Sequence, residues 1–490
     1  MRWVPAVVAF ISILSVIYWI NYPVLSFTFW KDDWYFLLLS LTDPGKLMGA
    51  WIHPGTIAEF YVFGRLFGSD PLAWMHIGLL LRAIVSFGIS VVLQSVTSPV
   101  IALFAGFLYA VGPFGLEVNG WPSGHVVLVS AVFFLFGLRL FIEDNGTHFG
   151  RSIFGTALIA LSLLSDPART VVGIIAVLMV IATWQANKKR IVALVAITVI
   201  IVVALLFNTF TIGKLSEAFG AFSTNERSAK LMLAPFGTFF ADYYQLSIGW
   251  LYHTEHGITE EGHAYYRKHH SRIGFVLMAV FGLWSIYRLR LRRDYVPLLL
   301  LVWQIGFLVP SWLFNTDLVI SPVHRYMVLP AIGYVMFLTL LLFEIKHTYI
   351  RFFVITGLIV FASYLSWTRY SHYTQYREAM RVHEIYDAII EKTRDVGGRA
   401  VIVVKGDDPL LTNLFFIHGS AWYSIRAGEH SQPTSIVMYR NESDASAHFC
   451  LEKKKASDSS RYFLFSIAGT GEVDDKSSEL RKGITSFPCQ

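Results

Sequence analysis

Apolar residues in this chain fall in long runs broken by short polar punctuation. They do not follow the alternating or one-faced patterns of soluble strands and helices. A helix needs about 20 apolar residues to cross the hydrocarbon core of a bilayer. Runs of that order lie at 4–21, 73–95, 98–112, 125–142, 152–165, 168–187, 190–208, 273–288, 295–312, 325–343 and 350–366. Turn pairs such as Ser98-Pro99 and Asp166-Pro167 separate neighbouring runs. The pattern predicts an all-α polytopic membrane protein with about 11 transmembrane helices. The loops 22–72, 113–124 and 209–272 fall on one face. The stretch 231–252 is also apolar, but counting it as a span would place four arginines on the wrong face. It reads as an interfacial or re-entrant helix. Beyond residue 370 the pattern changes: 401–404, 435–439 and 462–467 read as short strands and 377–394 has helical spacing, so 370–490 is expected to form a small extracytoplasmic α/β domain.

Composition agrees. Of 490 residues, 54% are hydrophobic and only 15% charged, against roughly 25% in an average soluble domain. A soluble enzyme would expose large apolar patches, and a disordered chain needs the opposite balance. The net charge of +6 is explained by basic loops on the cytoplasmic side. No basic run falls outside those loops, so no nucleic-acid partner is expected. The loops are Arg288–Arg293, Lys188–Arg190 and the pair Lys346 and Arg351. They set the N-terminus inside and residues after Trp367 outside. Asn21-Tyr22-Pro23 is a poor cleavage context, so the first span is expected to stay as an anchor. Cys450 and Cys489 both fall in the outer segment, where a single bridge is feasible.

Four places along the outer face carry candidate chemistry. Asp32 and Asp33 sit among aromatics in Phe29-Trp30-Lys31-Asp32-Asp33-Trp34-Tyr35. A solvated turn is the plain alternative. A carboxylate in a low-dielectric aromatic setting can instead accept a proton from a substrate hydroxyl, with Trp34, Tyr35 and Trp121 as faces for a sugar ring. Glu117 is a lone acid in the apolar stretch before Trp121. It is either functional or a structural group capping a helix or pairing with His125. Arg325, in Ser321-Pro322-Val323-His324-Arg325-Tyr326, either grips a phosphate through paired N–H donors or snorkels to the headgroups. The histidines of the 209–272 loop show no metal-ligand spacing, and no phosphate-binding glycine loop or serine-hydrolase elbow is present.

The order of these features resembles the glycosyltransferase C superfamily of polyprenyl- or dolichyl-phosphate-sugar-dependent enzymes. It is most similar to the membrane O-mannosyltransferases that carry TPR repeats. Their second outer loop reads roughly His-Pro-x-His-x-Glu-x-x-x-Trp-x-Ser-Gly-Arg, and Pro113, Glu117, Trp121, Ser123 and Gly124 stand at those positions. Arg325, Tyr326 and Pro330 match their late Arg-Tyr-x-Tyr-x-Pro. Gly112 and Gly115 replace the two histidines, His125 replaces the arginine, Val328 replaces the second tyrosine, and the TPR tail is absent. The resemblance covers about 1–345 and implies a transmembrane transferase domain over 1–369.

It implies inverting transfer of a hexose from a polyprenyl-phosphate donor to a hydroxyl of an envelope glycan, lipid or protein acceptor, at the outer face of a bacterial inner membrane. Asp33 or Asp32 would be the base. Arg325 and Arg65 would stabilise the donor phosphate. Some relatives hold a divalent metal such as Mg or Mn, for which Asp32, Asp33 and Glu117 are the oxygen donors to hand; others need none. A flippase or transporter of lipid-linked saccharide, and a polysaccharide polymerase or ligase, are the alternative functions.

Overall fold

A computed structural model of the chain describes residues 3–29, 32–49, 54–143, 149–184, 229–251, 260–314, 319–379, 382–393, 400–406, 421–423, 435–439, 461–467 and 472–475, with isolated positions at 192–200 and 425. The Lys188–Arg190 cluster, His253, His256, both cysteines and most of the run 190–208 lie outside the described residues.

The helices are α1 (Trp3–Asn21), α2 (Asp32–Thr42), α3 (Pro44–Gly49), α4 (Pro54–Phe67), α5 (Pro71–Leu93), α6 (Pro99–Val111), α7 (Val126–Glu143), α8 (Phe149–Ser165), α9 (Pro167–Trp184), α10 (Ala229–Ser247), α11 (Glu260–Arg292), α12 (Val296–Phe314), α13 (Val328–Phe343), α14 (Thr348–Ala379) and α15 (Val382–Thr393). Proline at the first helical position sets several starts, because its missing N–H is one the helix leaves unbonded anyway. Pro71, Pro99 and Pro167 do this, and Asp70 caps α5 by accepting from Leu72 N at 3.0 Å.

Among the described residues seven helices are long and apolar enough to cross a membrane: α1, α5, α7, α11, α12, α13 and α14. The shorter apolar helices are α6, α8 and α9. These ten match ten of the eleven predicted runs. Within the loop 22–72 the chain forms α2, α3 and α4. α11 begins thirteen residues ahead of its apolar run, at Glu260, and α14 continues past Trp367 to Ala379. α10 occupies the ambiguous 231–252 stretch. It lies against α11 and buries Thr238, Asp242, Tyr243 and Gln245.

Buried polar bonds tie the bundle. Arg82 of α5, fully buried, donates to the carbonyls of Tyr109 (3.0 Å), Gly112 (2.6 Å) and Phe114 (3.0 Å). These carbonyls lie at the end of α6 and just beyond, where a helix runs out of internal donors.

The bundle has two distinct ends. Arg288 bonds Asp294 at 2.6 Å and also pairs with Glu344, so the four-arginine loop and the turn after α13 share one end. α13 then climbs 16 residues, about 24 Å, to the opposite end, where Arg325 sits. The C-terminal strands are β1 (Ala400–Gly406), β2 (Ser435–Tyr439), β3 (Arg461–Ile467) and β4 (Val473–Asp475), in the order β2-β1-β3-β4. β1 runs parallel to β2 and β3, with Ile402 opposite Ile436 and Phe463, and β4 is antiparallel to β3. The predicted strands thus form one sheet. α15 packs Ile385, Tyr386, Ile389 and Ile390 into the same apolar cluster as Phe29, Trp34 and Trp74.

Candidate active site

The site is organised around residues 112–125, which leave α6, pass through two short 3-10 turns and enter α7. Gly115 makes the first bend with φ +61°, a left-handed conformation that side-chain-bearing residues disfavour. A Cβ here would lie 2.2 Å from a Val328 methyl. The position that carries histidine in the resembled pattern therefore has no room for a side chain in this chain. At Gly78 of α5 an added Cβ would meet Asn119 O at 2.5 Å and His125 Nε2 at 2.6 Å, so the helix backbone and the loop are in direct approach.

The loop is bonded to the late motif along its length. Gly115 N donates to Pro322 O at 2.9 Å and Glu117 N to Val323 O at 3.0 Å. Arg325 N donates to Glu117 Oε2 at 3.0 Å, and His324 Nε2 lies 3.7 Å from the same oxygen. The Arg325 guanidinium stacks 4.2 Å above the Trp121 ring and 5.3 Å from that of Tyr326. Its Nε is buried without a hydrogen-bond partner among the described residues. Arg169 approaches the Tyr326 ring at 4.9 Å and is paired with Asp166 at 2.7 Å.

The far end of the loop meets the acid pair. Asp32 and Asp33 occupy the first turn of α2, where the helix dipole favours negative charge. Asp33 is fully buried and its Oδ1 accepts from Ser123 N at 2.7 Å. Thr56 Oγ1 of α4 donates to Ser123 O at 3.3 Å. Glu59, one turn further along α4, meets His125 Nδ1 through Oε1 at 2.7 Å. Burial raises the Glu59 carboxyl above the usual range, and the adjacent His125 offsets part of that rise.

Asp33, Glu117, Trp121, His125 and Arg325 thus belong to one connected structure. Asp32 is half-buried beside Asp33. Trp34 is buried, its ring edge-on to Phe29 and Tyr386, so it packs the core instead of opening a face to a sugar. Tyr35 is half-buried against Phe36. Arg65 is exposed at the end of α4, 4.2 Å over Tyr61. Pairing of His125 with Glu117 is replaced by pairing with Glu59, because α4 brings its own carboxylate to the imidazole. Glu59, Thr56, Arg82 and Arg169 were missed. The signal available was an ionisable residue inside an apolar run, which is costly unless satisfied. Asp33 and Glu117 are committed to separate backbone donors. Among the described residues no group of three or more His, Cys, Asp or Glu comes together to hold a metal ion, and Asp32, Asp33 and Glu117 do not fit a shared cation.

Solved structures of the glycosyltransferase C fold match this chain. ArnT from Cupriavidus metallidurans bound to undecaprenyl phosphate matches with a TM-score of 0.53 at 14% identity, over 98% of this chain and 94% of that one. The Archaeoglobus fulgidus oligosaccharyltransferase in the apo form matches with a TM-score of 0.51 at 12% identity, over 91% of this chain and 66% of that one. The same enzyme in complex with Zn and sulfate gives 0.50 at 13% identity, over 94% and 67%. The chain spans about two thirds of the length of the oligosaccharyltransferase. No family model and no curated protein matches. The chain is an integral, multi-pass membrane protein of the glycosyltransferase C fold.

Proposed function

We propose that this protein is a membrane glycosyltransferase that takes a hexose from a polyprenyl-phosphate carrier and transfers it to a hydroxyl of a glycan, lipid or protein acceptor. The observation that carries this reading is that one loop holds both an aromatic-stacked guanidinium, Arg325, through Glu117 and Trp121, and a buried carboxylate, Asp33, through the amide of Ser123. Asp33 takes the proton of the acceptor hydroxyl as its oxygen attacks the anomeric carbon. The bond from that carbon to the phosphate oxygen breaks on the opposite face, with its electron pair passing to the phosphate. The configuration inverts. The leaving phosphate needs cationic stabilisation more than a proton, which Arg325 supplies. That the arginine-rich loop lies at the end of the bundle away from the site supports a site on the outer face. That ArnT is held with undecaprenyl phosphate supports a lipid-phosphate donor here.

The test is transfer by purified protein from a panel of polyprenyl-monophosphate sugars, comparing wild type with Asp33→Asn. A general base contributes about 10²–10⁴-fold in rate, so the variant is expected to lose that much kcat with normal membrane insertion. Undiminished turnover would remove Asp33 from the mechanism. Movement of the lipid-linked sugar across vesicles without transfer would instead make the protein a flippase.

A further inference from the structure

Two residues of α4, one turn apart, hold the same four-residue turn. Thr56 Oγ1 bonds Ser123 O at 3.3 Å, and Glu59 Oε1 bonds His125 Nδ1 at 2.7 Å. The amide of that same Ser123 is the donor to Asp33 Oδ1. Glu59 and His125 are both buried, and neither Glu59 Oε2 nor His125 Nε2 has a hydrogen-bond partner among the described residues. The two side chains are each other's polar partner. A buried pair of this kind adds little net stability, because the desolvation cost offsets the attraction. What it does provide is a fixed location for the turn. The resembled pattern gives no role to a glutamate in α4, and His125 stands where that pattern has arginine.

We propose that Glu59 is a positioning residue for transfer: through His125 it fixes residues 122–125, and so aims the Ser123 amide that orients the Asp33 carboxylate. This rests on the reading of Asp33 as the base. Misplacement of a reacting group by about 1 Å can cost around 10²-fold in rate. Loosening the turn therefore lowers kcat while leaving the donor site near Arg325 intact.

The experiment measures kcat and donor KM per folded molecule, with folded protein counted by size exclusion and thermal melting, for Glu59→Leu, Glu59→Gln, Thr56→Val and Asp33→Asn. Glu59→Leu is expected to lose at least about tenfold in kcat with donor KM within about twofold of wild type. Glu59→Gln keeps an acceptor for the imidazole N–H and is expected to recover most of that loss. Thr56→Val, nearly isosteric, is expected to lower kcat about threefold, the scale of one modest hydrogen bond. A purely structural role would change the yield of folded protein and the melting temperature, but not kcat per folded molecule. Values of kcat within twofold of wild type in Glu59→Leu and Thr56→Val, with Asp33→Asn inactive, would overturn the inference and leave Asp33 as the base. Full activity in Asp33→Asn would overturn both. If Glu59→Leu fails to fold, Thr56→Val and the Glu59→Gln rank order decide.

Discussion

The Glu117 carboxylate accepts the backbone N–H of Arg325 at 3.0 Å, across a sequence separation of 208 residues. The acid therefore acts on the arginine's main chain, while the guanidinium goes elsewhere, onto the Trp121 ring. Since Trp121 and Glu117 belong to the same loop, backbone and side chain of Arg325 are both located by one segment. Neither of these two contacts pairs a carboxylate with the guanidinium itself.

Phosphate binding and simple snorkelling of Arg325 differ in what lysine would do there. Lysine keeps the charge, but it loses the planar fork and the ring stacking. Arg325→Lys is expected to express normally and to lose most transfer activity. The check is steady-state kinetics with the lipid donor. Near wild-type kcat/KM would assign the arginine to the headgroup region.

Gly115 is expected to be intolerant. A left-handed backbone costs a residue with a side chain about 1–2 kcal/mol, and Val328 blocks the Cβ position. Gly115→Ala should lower the melting temperature in detergent, and Gly115→His, which restores the resembled pattern on paper, should do so further. A histidine variant as stable as wild type would mean that the loop has another course.

Stability should respond to pH through Glu59. Burial raises its folded pKa above the ordinary 4.5. Its contribution to stability is therefore complete below that ordinary value and is lost as pH rises through the raised one. Relative to Glu59→Gln, the wild-type protein should melt progressively lower as the pH is increased above the ordinary 4.5. Parallel melting curves for the two proteins across that range would contradict this.

Sidedness can be read by labelling in a Cys450→Ser, Cys489→Ser background. A membrane-impermeant maleimide added from outside should modify Asp474→Cys and spare Leu291→Cys. Both positions are exposed, so accessibility depends on the membrane alone. The opposite pattern would invert the proposed orientation.

The helical spans were legible because ten apolar runs match ten described helices, and the strands because β-branched and aromatic runs sit between polar turns. The loop containing Glu117 was visible as an acid where acids are expensive, and Arg325 as a lone cation away from the basic loops. What the sequence concealed is pairing over distance. Glu59 looked like one more residue of an outer loop until α4 carried it to His125. Arg82 lay inside an apolar run, and only the end of α6 explains it. Trp34 looked like a sugar platform because composition cannot tell a ring in the core from a ring at the rim.

The contact between Trp34 and Tyr386, with ring centroids 5.9 Å apart, bears on how the protein is made. Chains emerge from the ribosome N-terminus first, at about 5–20 residues per second. The acid-bearing α2 is therefore delivered early, while the α15 residues that complete its apolar surroundings arrive only after nearly the whole bundle has been inserted. Until then the aromatic side of α2 lacks part of its cover. The nascent protein thus carries its acid pair in an unfinished setting, which the last quarter of the chain closes.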